Sequence, residues 1–174
     1  MKNSEKTAVV TIQKTTLWSR PTPIIVLVLL VLSGIYIRFF DLTDPPLDFH
    51  PTRQLHSLII ARGFYYQFAP GLSDDQRQAA MQQSVAEGRV EPPILEWIVA
   101  RTYSITGGEN PVVARAYSIV FWLAGALLFY FLSQEYLSDT ARLIGTGFIL
   151  LLPYGVYASR AFQPDPLMTA MCIL

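Results

Sequence analysis

Three stretches of this sequence carry no charged residue: Pro21 to Ile37, Ala116 to Gln134 and Leu143 to Ser159, holding 17, 19 and 17 residues. As helices they would each span roughly 26–28 Å, close to the ~30 Å hydrocarbon core of a bilayer. Backbone amides in lipid must be satisfied within the segment, so continuous apolar runs of this length point to helices. A fourth run, Pro166 to Leu174, starts the same way and holds nine residues. The expectation is an all-α, polytopic membrane protein with three transmembrane helices and the start of a fourth, the chain continuing beyond Leu174. The composition agrees, with 52% hydrophobic and 15% charged residues against about 25% charged in soluble domains. Such hydrophobicity excludes intrinsic disorder. Thirteen basic and thirteen acidic residues cancel without any basic block, which argues against nucleic-acid binding.

Basic residues set the expected topology. Residues 1–20 contain Lys2, Lys6, Lys14 and Arg20 against one acid, Glu5, so the positive-inside rule places the N-terminus in the cytoplasm, with the plasma membrane as the expected location. The expected order is a tail at 1–22, spans at 23–40, 111–133 and 142–159, a cytoplasmic loop at 134–141, and external segments at 41–110 and 160–165, with a fourth span opening at 166–174. Arg38, Phe39 and Phe40 replace the small residues of a signal-peptide cleavage site, so the first span reads as an uncleaved anchor. The single Cys172 supports no internal disulfide.

Seventy residues between two spans are too many for a turn. Three amphipathic helices are expected in this long first external loop. One runs from about Thr52 to Gln67 with Leu55, Leu58, Ile59 and Tyr66 on one face. The next opens on a capping box, Ser73 with Gln76, and closes near Gly88. A third starts at Pro93 and stops at Gly107-Gly108, and its Trp97 and Tyr103 suit the headgroup zone. The first and third are expected to lie along the membrane surface.

Three clusters could carry chemistry. After the first span, Asp48, His50 and Arg53 fall within six residues among prolines. A carboxylate held there could act as a general base or metal ligand, although Asp48 also reads as an ordinary turn residue. At the outer end of the third span, Arg160 and Asp165 share the expected external face with Asp48. Guanidinium forks bind phosphate well, and carboxylates handle protons or metal. The plainer readings are a snorkelling Arg160 and an Asp165 that caps the next helix. The third cluster is Glu91-Pro92-Pro93, which can simply favour a helix N-terminus. Arg115, opening the second span, reads as a headgroup anchor. No paired His or Cys spacing signals a metal site, so no metal ligand is assigned; no glycine-rich phosphate loop or nucleophile elbow is present.

The ordered set resembles the start of the GT-C integral-membrane glycosyltransferases. It comprises a basic tail, a span, the Asp48 segment, a loop with Glu91-Pro92-Pro93 and Trp97, then Arg115 and a final Ser-Arg-x-x-Gln-Pro-Asp at 159–165. The likeness is of the glycosyltransferase family 39 kind, with the protein O-mannosyltransferases and lipid A aminoarabinose transferases as relatives. The resemblance implies about a dozen spans, a polyprenyl-phosphate-linked sugar donor and transfer on the external face. It places the family's first-loop Asp on Asp48 and its second acid on Asp165. Aminoarabinose transferases carry Glu-Lys-Pro near Glu91, where the Glu helps bind a divalent metal ion; here Pro92 replaces the Lys. Protein mannosyltransferases follow the first Asp with Glu, where this chain has Phe49 and His50, so the acceptor stays open among protein, lipid and glycan.

The implied roles are catalytic for Asp48 and Asp165 and substrate-binding for His50, Arg53, Glu91 and Arg160. The partners expected are the bilayer and the lipid-linked donor, and residues 1–174 alone are expected to be inactive. A polytopic transporter or a non-catalytic scaffold subunit is the alternative. Transporters, however, place charged groups at mid-membrane, where these three windows carry none.

Overall fold

The computed structural model describes residues 21–174, and the basic tail that motivates the topology lies outside the described residues. The described chain is helical throughout, with no strand. In order come α1 (Pro21–Phe39), α2 (Pro51–Tyr66), α3 (Asp74–Ala86), α4 (Ile94–Thr106), α5 (Pro111–Leu132, running on into a 3₁₀ turn at Ser133–Glu135), α6 (Asp139–Leu151), α7 (Pro153–Arg160) and α8 (Asp165–Ile173). Helices α1 and α5 are each long and apolar enough to cross a membrane. The protein is an all-α, multi-pass integral membrane protein.

Helix α1 has the surface of a membrane span. It buries only Leu27, Gly34 and Arg38, a stripe one residue wide. Ile25, Leu29, Leu32 and Tyr36 all remain exposed. That apolar surface would be prohibitive in water but is ordinary in lipid.

The third charge-free window is not one straight helix. It bends by 55° between α6 and α7. Pro153 is the cause: it has no N–H to give to Ile149 O, and its ring opposes a continuous helix. Two carbonyls released at the break are taken up by side chains. Trp122 Nε1 on α5 donates to Ile149 O at 3.0 Å, and Arg38 Nη1 on α1 donates to Leu150 O at 2.8 Å. Gly155 makes room for the indole, since a Cβ there would sit 3.0 Å from Trp122 Cζ2. The break is therefore built into the packing of α1, α5 and α6, and it aims α7 at the end of the bundle where α1 finishes and α5 and α8 begin.

Helices α2, α3 and α4 form a separate layer over that end. The Ser73–Gln76 capping box is present with both of its hydrogen bonds, and Gly107 ends α4 in the left-handed conformation. The buried face of α2 differs from the expected one. Leu55 is exposed and Leu58, Ile59 and Tyr66 are only partly covered, whereas Gln54, Ser57, Ile60, Ala61 and Tyr65 face inward. Burying two polar residues is tolerable because both are bonded, Gln54 to Phe49 O at 2.7 Å and Ser57 to the buried Glu96 on α4 at 2.8 Å. Trp97 stays half exposed, but Tyr103 is buried, donating to Asn110 O at 3.1 Å. Burial, with the Glu109 carboxylate second, pushes the Tyr103 phenol above its ordinary pKa and keeps it a neutral donor. The core here gathers Ala61, Tyr65, Leu95, Val99 and Tyr103 around Phe162, which arrives from the α7–α8 connection and joins the two layers.

Candidate functional site

The connection from α1 to α2 reaches across the end of the bundle and is pinned by side chains from three helices. It turns at Asp41 (φ 53°) and again at His50 (φ 45°), both in the left-handed region that Asp and His enter more readily than most residues. Arg115 on α5 donates to Leu42 O at 3.0 Å, Asp44 O at 2.8 Å and Arg160 O at 3.0 Å. Arg160 on α7 donates to Asp41 O at 3.1 Å. Gln54 on α2 holds Phe49 O and accepts from Phe162 N at 3.2 Å. The carbonyls of this short segment thus gather the first turns and last turns of helices far apart in sequence.

These bonds present Asp48 as the focus of the site. Its Oδ2 accepts from Arg115 Nη2 at 3.0 Å and lies 3.6 Å from Arg160 Nη2. Gln54 Nε2 is 3.4 Å from Oδ1. The Asp48 side chain is 27% exposed, while those of Arg115 and Arg160 are 1% and 8% exposed. One carboxylate edge is therefore locked against guanidinium, and the other is held loosely at the surface.

A second ionic group lies alongside. Arg53 Nη2 is 2.7 Å from Glu91 Oε1 and 3.8 Å from Asp165 Oδ2, with all three side chains substantially exposed. Asp165 opens α8, where its charge suits the helix dipole. His50 stands at the start of α2 with no capping bond, its ring edge-on to Phe49 at 4.4 Å, and Phe49 in turn meets Tyr154 on α7 at 5.5 Å. Five of the six residues expected from sequence fall in two separate groups at one end of the bundle, Asp48 with Arg160 and Arg53 with Glu91 and Asp165, while His50 contacts only the Phe49 ring among the described residues.

Arg115 departs from the expected headgroup anchor, since it is fully buried and makes four hydrogen bonds. Arg38 and Gln54 were not expected as site-forming residues at all. Arg38 is buried, and beyond Leu150 O it donates to Gly34 O at 2.9 Å and to Ser159 Oγ at 2.7 Å, next to Arg160. No periodicity distinguishes such residues from snorkelling or exposed ones.

The carboxylates do not assemble a metal-holding set. Among the described residues no three His, Cys, Asp or Glu side chains converge. Glu91 and Asp165 both face Arg53, and Asp48 faces two guanidiniums, so each acid already has a cationic neighbour. A divalent ion would have to displace those partners.

Comparison with known families adds a separate observation. Residues 90–174 match the sequence model of the family described as dolichyl-phosphate-mannose-protein mannosyltransferase. That match, over just under half of the chain, supports a GT-C-like membrane glycosyltransferase of the mannosyltransferase type. No curated protein and no solved structure gives a significant match. The matched stretch contains Glu91, Arg115, Arg160 and Asp165, but not Asp48, His50 or Arg53. Tertiary structure joins the two halves, through Asp48 to Arg115 and Arg160 and through Arg53 to Glu91 and Asp165.

Proposed function

We propose that this chain belongs to a glycosyltransferase that moves a sugar from a polyprenyl-phosphate donor to an acceptor on the external face of the plasma membrane, its N-terminus lying in the cytoplasm. The observation that carries the reading is Asp48, fixed on one edge by Arg115 and Arg160 and held on the other only by a long 3.4 Å bond from Gln54. A carboxylate so oriented can take the proton of an acceptor hydroxyl as its oxygen bonds to the sugar carbon. The bond from that carbon to the phosphate oxygen breaks, and the electron pair leaves with the phosphate. Arg160, already oriented, stabilises the charge that grows there. Arg53, Glu91 and Asp165 line the more exposed side, with His50 nearby, where a polar acceptor would approach. Asp165 is the second acid of the proposal, positioned at the first turn of α8.

A bent span is also common in transporters, which use freed carbonyls to hold ions. Here Ile149 O and Leu150 O are already occupied by Trp122 and Arg38. The family match also supports group transfer over transport.

The test is Asp48→Asn in the full-length protein, with a polyprenyl-phosphate sugar as donor. The expected outcome is a loss of kcat of about 10²–10⁴-fold, the usual contribution of a general base, with expression retained. Turnover within about threefold of the unmodified protein would remove Asp48 from the chemistry, since a base is worth far more.

A further inference from the structure

Helix α4 has two unlike faces. Leu95, Glu96, Val99, Ala100 and Tyr103 are buried within the α2–α4 layer. Ile94, Trp97, Arg101 and Ile105, spaced as one helical stripe, are left open, and Ile105 is 85% exposed. Phe68, just past the end of α2, is exposed beside this stripe. A hollow of about 210 Å³ lies between them, lined by Phe64 and Phe68 on one side and by Trp97, Arg101 and Ser104 on the other.

The depth of the stripe is set by α5. Four residues, Gly107 to Asn110, separate the two helices. Tyr103 donates to Asn110 O, and the Thr102 and Tyr117 hydroxyls meet at 2.8 Å. Tyr117 is the second residue of the charge-free window that opens at Ala116, in a helix long and apolar enough to cross a membrane. The last turns of α4 therefore stand beside the first turns of that span, at the level where hydrocarbon gives way to headgroups. An open stripe of Ile, Trp and Phe at that level meets lipid, because amphipathic helices and aromatic rings are stable there.

Arg101 sets the kind of lipid. Its guanidinium lies 5.1 Å from the centre of the Trp97 ring and 5.3 Å from that of Phe68. Stacking of this kind uses the faces of the planar group and leaves its N–H edge free to donate. No carboxylate pairs with it among the described residues; Glu96 on the same helix is held by Ser57, and Glu109 by Arg62. A stacked, unpaired guanidinium at headgroup depth is complemented by a lipid phosphate, and most strongly by that of a lipid with net negative charge.

We propose that the Trp97–Arg101–Ile105 face of α4 seats in the headgroup layer and that Arg101 binds the phosphate of an anionic membrane lipid, at a site separate from the Asp48 centre. The inference does not depend on the transferase reading. Helices α2 and α4 both begin beside the Arg53–Glu91 pair, so lipid held along α4 fixes the height of that pair over the bilayer.

The test places the photo-crosslinking residue benzoylphenylalanine at Ile105 of the full-length protein, in nanodiscs of phosphatidylcholine with phosphatidylglycerol as the minority lipid. Mass spectrometry then identifies the adducts. The expected result is lipid adducts in which phosphatidylglycerol exceeds its mole ratio about fivefold, the effect of one arginine near an anionic surface. The same residue placed at Gln78, on the exposed polar side of α3, should give no lipid adducts. Arg101→Gln should return the adducts to the mole ratio while lipid labelling persists, and Arg101→Lys, which keeps the charge, should retain most of the preference. Monodisperse elution of each variant checks that the fold is kept. Phosphatidylglycerol at its mole ratio in the unmodified protein, or a preference indifferent to Arg101→Gln, would remove the phosphate site. Adducts to polypeptide alone at Ile105, or lipid adducts equally frequent at Gln78, would overturn the seating of this face in the bilayer.

Discussion

Replacing Arg115 with Met probes the assembly of the site most directly. The side chain is 1% exposed and donates to three backbone carbonyls and to Asp48. Of the carbonyl acceptors, Leu42 and Arg160 belong to buried residues, whereas Asp44 is exposed and can turn to water. Two stranded buried carbonyls cost about 1–3 kcal/mol each. Asp48 loses its nearer cation but keeps Arg160 at 3.6 Å and some solvent, which softens its share. The sum is about 3–5 kcal/mol, in line with breaking other buried ion pairs. The matching control is Arg53→Ala. Its ion pair with Glu91 is shorter, 2.7 Å, but the side chains are 46% and 32% exposed, and such pairs contribute at most about 1 kcal/mol. Thermal unfolding of both variants in detergent, followed by fluorescence-detected size exclusion, reads the difference. Arg115→Met should unfold many degrees lower, while Arg53→Ala should stay near the unmodified protein. If the two variants unfold together, burial is not what gives Arg115 its weight, and the account of the site is wrong.

Three further outcomes follow from the packing. Trp122→Phe strands Ile149 O at the bend and should cost about 1–3 kcal/mol; spin labels on α6 and α7 should then report a broader spread of angles around the 55° bend. Ser73→Ala removes the capping box and should cost about 1 kcal/mol, seen as faster hydrogen exchange confined to α3. Gly63→Val should be worse, because a Cβ at Gly63 would lie 2.4 Å from Ser84 Cβ where α2 crosses α3; a cost of about 1–3 kcal/mol is expected, and trypsin cleavage at Arg77 or Arg89 should accelerate.

The sequence by itself determined the helical class, the uncharged membrane windows and the ends of α3 and α4. Those features depend on local chemistry: apolar runs, a serine cap, a left-handed glycine. It also singled out the charged residues that surround the site, because acids and arginines beside prolines at span ends are visible in one dimension. Only the tertiary structure decided which of them pair, that Arg115 and Arg38 are buried, and which face of α2 turns inward. Burial of a guanidinium depends on carbonyls supplied from elsewhere, and for Arg115 these lie 45 to 73 residues away. The bend at Pro153 lies between these cases. Proline alone announces a break, but its direction is set by Trp122 and Arg38, which hold the freed carbonyls. A pattern read along the chain shows that a donor exists; only the fold brings it to its acceptor.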